Sequence, residues 1–453
     1  MKNCFIVPCK RAKNLKDDEI DSLNFSLLNT VFLTICGELA LARLKGFEKL
    51  TTVNDALGIF LDALKPKRLQ SESVPLADAV ERAAADNIVA PMDLPRFDRS
   101  AVDGYAIRAD DTFETTQFKP RTLKLTHEEI VRKGYAKEIW TGNPVPEGAT
   151  AAVMLEHTRK LKNGIEIVMP VTPGENISRK GEDIRKGEVA IEAGTRVNTY
   201  HLGLLAALGV SEVDVVRKPQ VVIISTGNEL VELGKETSPS QIINSNRFVI
   251  SGLCRELGAE PEYLGIARDD EEDIHMKIVE GLARADVVIT TGGTSVGTAD
   301  LVPLVISKLG KPGIVVHGVA MRPGMPTALG ILKRKPVFVL SGYPVAATFG
   351  FEVFVRPIIL RLLGVQNEPH PWIEARLTRR VAGALGRRIY LRVKAVEQKG
   401  ELCAEPILAK GSGLLSSLTK ANGYVIIPEN REGLEEGETV IVRLFSPIAR
   451  KEN

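Results

Sequence analysis

The chain has 453 residues, of which 44% are hydrophobic and 26% are charged, and its formal net charge is +2. This balance is typical of a folded protein with about three or four domains, since a domain has roughly 100–200 residues. The near-neutral charge excludes an extended basic surface for nucleic acid. Five scattered cysteines without a Cys-x-x-Cys pair argue against a disulfide framework or a zinc site, and a reducing cytoplasm is expected.

Residues 1–45 form an N-terminal extension that contains a fairly apolar stretch, Leu23–Ala42. Acidic residues between Asp17 and Asp21 precede this stretch, and Glu38 interrupts it, whereas a signal peptide carries positive charge and a cleaner apolar core. We therefore expect neither a secretory signal nor a membrane span. An extra helix and a misassigned translation start both remain open interpretations.

Apolar residues at helical spacing predict a helix from Val53 to Leu64, capped by Thr52 or Asn54. A second helix is predicted over Leu76–Ala85.

The next segment, Pro91–Ile107, contains two prolines and a dense set of charges, which disfavour a helix or an ordinary strand. Carboxylates beside a hydroxyl could bind a metal or orient a ligand here. A loop held together by its own Asx hydrogen bonds explains the same residues equally well, and the sequence leaves both interpretations open.

Short strands with turns follow and predict a small β-rich domain. The predicted strands are Thr122–Leu125, Glu138–Thr141, Ala151–Leu155 and Ile165–Met169. His157 has no second ligand nearby in sequence, so it is interpreted as structural. A charged, glycine-containing segment, Gly174–Ile184, then returns the chain to the domain before it, and a helix is predicted over Tyr200–Leu208 with Gly209 at its end.

From Lys218 to Gly364 strands alternate with helices, which predicts a parallel, doubly wound sheet. The predicted strands are Val221–Ser225, Glu262–Ile266, Val287–Thr290, Gly313–His317 and Val337–Leu340. The predicted helices are Asn246–Leu257, Glu271–Ala283, Ala299–Leu309 and Val345–Leu363. Ligands of such sheets bind at the carboxyl ends of the strands.

The strand ends carry polar residues, including a glycine turn after Val287–Thr290. Paired Gly292 and Gly293 could present consecutive N–H groups to an anion, with hydroxyls and Asp300 close behind. A structural strand-to-helix turn would need the same glycines, so both interpretations stay open. Because further strand ends carry Glu229, Asp269 and Arg322, we expect a functional rim that binds an anion and suits Mg²⁺. After Gly364, short strands between Trp372 and Leu444 predict a small β barrel or sandwich.

Six motifs in this order resemble one family, the MoeA/gephyrin E-domain molybdopterin molybdenumtransferases, over roughly Thr51 to Leu444. The motifs are Phe97–Ala106, Thr141–Pro146, Gly181–Ile184, Ser225–Leu230, Gly292–Gly297 with Asp300, and Arg322–Pro326.

The resemblance implies a multidomain, elongated chain of the α/β plus β class with a MogA-like α/β domain and a C-terminal β barrel. The implied division is an extension at 1–45, a discontinuous linker and dimerisation domain at 46–90 and 176–217, an inserted β-rich domain at 91–175, the α/β molybdopterin-binding domain at 218–366, and the barrel at 367–453.

The resemblance also implies insertion of molybdate into adenylylated molybdopterin with release of AMP, using Mg²⁺. It implies a homodimer whose active cleft is shared between subunits, with the adenylyltransferase and apo-molybdoenzymes as further partners. The implied catalytic residues are Asp103, Thr141, Asp183, Glu229, Asp300 and Arg322. The implied metal ligands are Glu229, Asp269 and Asp300. The implied cofactor-binding residues are Gly292, Gly293, Thr294, Ser295, Gly297, Pro323, Gly324, Arg388, Arg392 and Ser412.

Several positions depart from the family pattern. Met325 and Gly318 stand where lysines are common, Arg322 stands for a frequent lysine, Asn228 for an aspartate and Ser341 for a proline. Fewer lysines suggest an altered oxyanion preference, with tungstate as the alternative to molybdate. Two other functions remain open: the related molybdopterin adenylyltransferase, and a pterin-binding or scaffolding protein without catalysis.

Overall fold

The computed structural model describes residues 50–293, 300–365, 368–407 and 411–450. Its α-helices are Val53–Leu64, Thr199–Ala207, Asn246–Glu256, Glu271–Arg284, Leu301–Leu309, Pro344–Gly350, Arg356–Leu362 and Ser416–Lys420. Short 3₁₀ turns cover Leu76–Asp78, Ala109–Thr112 and Leu155–His157. Within these ranges, none of the helices is long and apolar enough to cross a bilayer.

A six-stranded mixed sheet forms the centre of the α/β unit. Its strands, in spatial order, are Glu260–Ala267, Gln220–Thr226, Val287–Thr291, Lys335–Leu340, Ala328–Leu332 and Gly313–His317. The first four strands run parallel, and Ala328–Leu332 is antiparallel to both of its neighbours. The predicted α/β fold is confirmed, but the sheet is mixed rather than wholly parallel.

The strand Ala328–Leu332 is missing from the sequence prediction. It forms a hairpin with Lys335–Leu340 through the two-residue turn Lys333-Arg334, in which φ is 50° and 64°. Both central residues of a type I′ turn need positive φ, which is usually met by Asn-Gly or Gly-Gly. Because lysine and arginine occupy this turn, the usual hairpin signal is absent from the sequence.

The helix Val53–Leu64 packs on the α/β sheet. The side chain of Thr52 accepts a hydrogen bond from Asp55 N at 3.2 Å, so Thr52 is the N-cap. Phe60 is fully buried and meets Phe338 of the sheet edge-to-face, with 5.3 Å between ring centroids. Burying a phenylalanine in this way contributes about 2–3 kcal/mol.

The sequence predicted a single α-helix over Val345–Leu363. The structure does not have one. The segment divides into Pro344–Gly350, a π-helical turn at Phe351–Val355, and Arg356–Leu362. Pro357 lies at the start of the last part, directly after the π-helical turn. Because proline has no N–H, it cannot donate the hydrogen bond that would continue the helical ladder across this point. The wider π turn absorbs the break in the hydrogen-bond ladder before this proline.

The β-rich unit contains a second six-stranded sheet. Its strands, in spatial order, are Ala151–Met154, Gly104–Ile107, Tyr135–Ile139, Arg121–Leu125, Gly164–Ile167 and Thr158–Leu161. Gly104–Ile107 is a strand that is buried along its whole length, and Arg99–Ser100 forms a short strand before it. The expectation that Pro91–Ile107 disfavours a strand is therefore wrong for these residues. The apolar triplet from Tyr105 to Ile107 outweighs the charges before it because its strand is buried and pairs with a neighbouring strand on each side.

The predicted helix Leu76–Ala85 is also wrong, because only a 3₁₀ turn forms at Leu76–Asp78. The N–H groups of Ala84 and Ala85 donate instead to Thr195 O and Asp214 O, each at 2.9 Å. Tertiary pairing therefore overrides the helical preference of this alanine-rich segment.

Short antiparallel pairs join the chain segments on either side of the β-rich unit. The paired strands are Ser71–Pro75 with Glu212–Val216, Ile88–Val89 with Val189–Ile191, and Arg99–Ser100 with Ile177–Ser178.

A closed barrel forms the C-terminal unit. Its five strands, in the order in which they pair around the barrel, are Arg388–Gln398, Glu401–Pro406, Trp372–Leu377, Thr439–Leu444 and Gly423–Ile427. Shorter strands are Val381–Ala382, Gly433–Leu434 and Ala449–Arg450. The barrel joins the α/β unit where Met321–Arg322 runs parallel to Arg388 and Ile389. The closed ring of five strands confirms the predicted barrel. The strand Arg388–Gln398 attaches the barrel to the α/β unit.

Candidate functional site at the strand ends of the α/β unit

The parallel strands of the α/β unit end at one edge, and the loops that follow them form a polar rim. We define this rim by the residues Gly227–Glu229, Asp269, Gly292–Gly293, Asp300, His317 and Ser341–Tyr343. Carboxyl ends of neighbouring parallel strands bring their loops together, which is where ligands of such sheets bind.

Two loops of the rim hold each other through reciprocal hydrogen bonds. Asn228 N donates to Asp269 Oδ2 at 3.1 Å, and Asp269 N donates to Asn228 Oδ1 at 3.2 Å. The carboxylate of Glu229 lies over Gly227, where an added Cβ would meet both carboxylate oxygens at 2.7 Å. Glu229 and Asp269 are both exposed, so the fold places two carboxylates on adjoining loops.

The glycine turn is needed for packing. Gly292 has φ of 94°, and an added Cβ would lie 2.4 Å from Thr226 O. At Gly293, with φ of 66°, a Cβ would lie 2.5 Å from Val302 Cγ2. The N–H of Gly292 donates to Leu340 O at 2.9 Å, so it continues the sheet and does not point to an anion. The predicted anion nest of paired glycine N–H groups is therefore wrong for Gly292, whose N–H is not available to an anion. Thr294, Ser295 and Gly297 lie outside the described residues.

Asp300 precedes the helix Leu301–Leu309 and lies beside His317, the last residue of the neighbouring strand. The distance from Asp300 Oδ2 to His317 Nε2 is 3.6 Å. Burial raises the pKa of Asp300 above its ordinary value, while the charge of His317 opposes that rise. In the described part of the chain, the buried Oδ1 of Asp300 has no hydrogen-bond partner.

The loop after His317 carries Arg322, Pro323 and Gly324. The guanidinium of Arg322 is exposed and makes no ion pair or hydrogen bond within the described ranges. Gly324 has φ of 104°, and its carbonyl accepts from Thr327 N at 3.1 Å and from Thr327 Oγ1 at 2.7 Å. These bonds fix the loop and leave Arg322 as its exposed cation.

The two predicted pterin-side arginines are both engaged in packing. Arg388 Nε lies 3.0 Å from Glu429 Oε1, and its Nη1 donates to Asn54 Oδ1 at 3.1 Å. Arg392 is only 8% exposed, and burial lowers its pKa. Neither guanidinium therefore extends freely from the barrel surface.

Ser412 connects the barrel to the rim. Its carbonyl accepts from Val345 N at 3.1 Å, and an added Cβ at the neighbouring Gly413 would lie 3.3 Å from the Tyr343 ring. The turn around Ser412 is thus placed against the strand end that carries Ser341.

Asp103, Thr141 and Asp183 belong to the β-rich unit and its base. Asp103 Oδ1 accepts from both the N–H and the hydroxyl of Thr141, each at 2.7 Å. The backbone donor and then the hydroxyl lower the pKa of Asp103. Asp183 is exposed and lines a cavity of about 350 Å³ together with Arg99 and Ser178.

Asp98 holds this region together, a role that the sequence did not indicate. Its carboxylate accepts from Lys180 N and from Arg179 Nη1, each at 2.8 Å. These two bonds, the backbone one first, lower the pKa of Asp98. Because Arg179 is 81 residues away in sequence, only the unusual density of charges in both segments could have suggested the pairing.

The predicted residues therefore form two groups. In the described ranges, no hydrogen bond or ion pair joins the rim to the group of Asp103, Thr141 and Asp183. Nor do three His, Cys, Asp or Glu side chains there come together as a metal site, so Glu229, Asp269 and Asp300 are not assembled into one ligand set.

Fold and site together define a class, namely a multidomain protein built around a molybdopterin-type α/β domain. Family models match residues 51–209 as "MoeA N-terminal region (domain I and II)", 222–361 as "Probable molybdopterin binding domain" and 374–445 as "MoeA C-terminal region (domain IV)". The chain belongs to the MoeA family.

Relatives match over most of their length. A protein of Methanocaldococcus jannaschii named for molybdopterin biosynthesis is 38% identical, covering 89% of this chain and 98% of its own. The molybdopterin molybdenumtransferase of Bacillus subtilis is 37% identical over 85% of this chain and 92% of its own. A solved molybdopterin biosynthesis MoeA protein of Pyrococcus horikoshii OT3 superposes with a TM-score of 0.76 and 34% identity, covering 88% of this chain and 100% of that one.

Proposed function

We propose that this protein inserts molybdate into adenylylated molybdopterin and releases AMP, within molybdenum cofactor biosynthesis. The observation that carries the proposal is the half-buried Asp300 on the polar rim, because its Oδ1 has no hydrogen-bond partner in the described ranges. A buried carboxylate oxygen without a hydrogen-bond partner costs free energy unless a ligand or a cation binds to it. Family membership supplies the reaction class, since curated relatives are named molybdopterin molybdenumtransferases.

The donor chemistry of the rim fits Mg²⁺, although the three predicted ligands do not form a ready-made set. Mg²⁺ is usually held by one or two carboxylates together with waters and substrate phosphates. Asp300 and Glu229 supply such carboxylates, whereas Asp269 is bonded to Asn228 N. When bound, the ion would neutralise charge on the phosphate oxygens.

The protein's own contribution to this reaction is positioning and charge. Cleaving a phosphoanhydride beside an oxyanion needs charge neutralised and groups held in place, and it needs no protein nucleophile. Arg322 offers an exposed cation at the edge of the rim, on a loop fixed by the bonds of Thr327 to Gly324 O. We assign the turn at Ser412, whose carbonyl accepts from Val345 N, to the pterin side of a substrate held on the rim.

We further propose that the group of Asp103, Thr141 and Asp183 completes the site in a second copy of the chain. The absence of bonds between this group and the rim within the described part of one chain is compatible with a cleft shared across a homodimer. The adenylyltransferase that makes the substrate and apo-molybdoenzymes that receive the product are the expected partners, in the cytoplasm.

AMP release from adenylylated molybdopterin with Mg²⁺ tests the reaction, with molybdate and tungstate compared. We expect oxyanion-dependent release that falls at least a hundredfold in Asp300→Asn, whereas Asp62→Asn, an exposed charge on the helix Val53–Leu64, should leave it unchanged. Faster AMP release with tungstate than with molybdate would show that this protein prefers tungstate. AMP transfer from ATP to molybdopterin would favour an adenylyltransferase, and pterin binding without AMP release would favour a scaffold.

A mixing experiment tests the shared cleft. Asp103→Asn and Asp300→Asn chains, each inactive alone, should recover about a quarter of wild-type activity when mixed equally and allowed to exchange subunits, because half of the dimers then hold one intact cleft. Recovery would not occur if each chain carried its own complete site.

A further inference from the structure

A basic cavity lies at the end of the α/β sheet opposite the rim. It has a volume of about 390 Å³, and its cationic lining residues are Lys65, Lys67, Arg68, Arg217, Arg334 and Lys335. These residues come from the loop after the first helix, the entry to the strand Gln220–Thr226 and the hairpin turn before Lys335–Leu340. Cations from three separate parts of the chain therefore converge on one concave surface.

Three of these cations are fixed by protein partners. Arg217 forms a bidentate pair with Asp286, at 2.7 Å and 2.8 Å. Arg68 binds Ala85 O and lies 3.5 Å from Asp86, and Lys335 Nζ donates to Leu282 O at 2.8 Å. Among the described residues, Arg217 and Arg68 therefore have a carboxylate partner, whereas Lys335 has a backbone carbonyl as its partner.

The other three cations are available to a ligand. Within the described ranges, the side chains of Lys65, Lys67 and Arg334 make no ion pair or hydrogen bond, and all three are exposed. Like charges around one cavity repel each other, so this arrangement raises the free energy of the empty protein and favours a multiply charged anion.

We propose that the basic cavity binds a small anion with two or more phosphate groups. A single carboxylate would neutralise only part of the excess charge. Flexible lysines act as point charges for phosphate, and an arginine can donate two parallel hydrogen bonds to its oxygens. The volume lies within the range of about 300–1,000 Å³ typical of small-ligand sites. An acidic protein segment is the competing occupant. This site goes beyond the proposed transferase reaction and does not depend on it.

Calorimetric titration of the full chain with inorganic tripolyphosphate, at fixed ionic strength, tests the proposal. The decisive variant is Lys67→Gln with Arg334→Gln, since neither side chain has a structural partner. The matched control removes two exposed lysines of the β-rich unit, Lys160→Gln with Lys162→Gln. A third variant, Arg322→Gln, reports on binding at the rim.

We expect the Lys67 and Arg334 double variant to bind tripolyphosphate at least tenfold more weakly than wild type, and the other two variants to bind it within twofold of wild type. Equal affinity in all four proteins would overturn the proposal, as would loss of binding in Arg322→Gln alone. A polyglutamate peptide that binds the cavity more tightly than tripolyphosphate would reject a phosphate ligand and assign an acidic segment. Matching thermal unfolding curves confirm that the variants are folded.

Discussion

Asp103 Oδ1 receives both the backbone N–H and the hydroxyl of Thr141, each at 2.7 Å. Donors aimed at a carboxylate stabilise its charged form, and the pKa of Asp103 is lowered accordingly. Thr141 therefore acts on Asp103 with two donors, of which only one can be removed by substitution.

Thr141→Val removes the hydroxyl donor at nearly constant volume. We expect the pKa of Asp103, followed by NMR, to rise towards its ordinary value, and AMP release to fall about tenfold because a hydrogen bond to a charged group is lost. Thr141→Ser should restore both. Thr122→Val, on an exposed strand position, is the matched control, and an unchanged Asp103 pKa in Thr141→Val would contradict the assignment.

Gly292→Ala tests the packing role of the glycine turn. A side chain there is strained by the positive φ and also meets Thr226 O at 2.4 Å. Gly234 has a similar φ of 88° but open space around it. Gly234→Ala therefore introduces the backbone strain without a steric clash. In urea unfolding we expect a loss of about 1–2 kcal/mol for Gly234→Ala and about 1–3 kcal/mol more for Gly292→Ala. Equal losses would mean that the turn relaxes away from Thr226.

Arg217→Gln breaks the bidentate pair with Asp286. We expect a loss of about 1–3 kcal/mol at neutral pH, between the values typical of exposed and buried pairs. Arg284→Gln, which breaks pairs whose side chains are 44–49% exposed, should change the free energy of unfolding little.

The same pair makes a pH prediction. Burial alone would raise the pKa of Asp286, but the hydrogen bonds from Arg217 and Gln220 N outweigh it and bring that pKa below 3.8. A group whose pKa is lowered by folding stabilises the fold above its unfolded pKa and loses that effect as the pH falls through the folded pKa. The difference between wild type and Arg217→Gln should therefore shrink below about pH 3.8. A constant difference down to pH 2 would contradict it.

Phe349→Ala tests how the barrel is attached. Phe349 is 2% exposed and stacks on Tyr390 of the barrel, with ring centroids 5.1 Å apart. Truncation should cost about 3–5 kcal/mol and should expose the Tyr390 ring, whose buried hydroxyl has its pKa raised to about 12. A fall of that pKa in a spectroscopic titration would report separation of the two units. Phe118→Ala, at a side chain that is 99% exposed, should do neither.

The sequence predicted best what depends on local pattern. The apolar β-branched run Val287–Thr290 marks a buried strand, and the helix Asn246–Glu256 ends within a residue of its predicted end. The strand Ala328–Leu332 was not predicted because the type I′ turn that follows it lacks glycine and asparagine. The prediction of a helix at Leu76–Ala85 was wrong because the N–H groups of Ala84 and Ala85 donate to the carbonyls of Thr195 and Asp214, more than a hundred residues away.

The site was harder to predict because its interactions are long-range. The family resemblance implies a cofactor-binding role for Arg388, but its guanidinium is held by Glu429, and nothing local to Arg388 reveals this. In the same way, Gly292 satisfies the pattern of an anion loop although its N–H is used by Leu340 O. Residue types at a strand end identify the rim, whereas the partner of each donor depends on tertiary packing.

The strand Val287–Thr291 is buried from end to end and separates Asp286, at the basic cavity, from Gly292, at the rim. At about 3.3 Å per residue, these two residues lie roughly 20 Å apart. That distance exceeds the Debye length of about 8 Å at physiological ionic strength. Two anions could therefore occupy one chain with little mutual repulsion, and salt would weaken each of them independently.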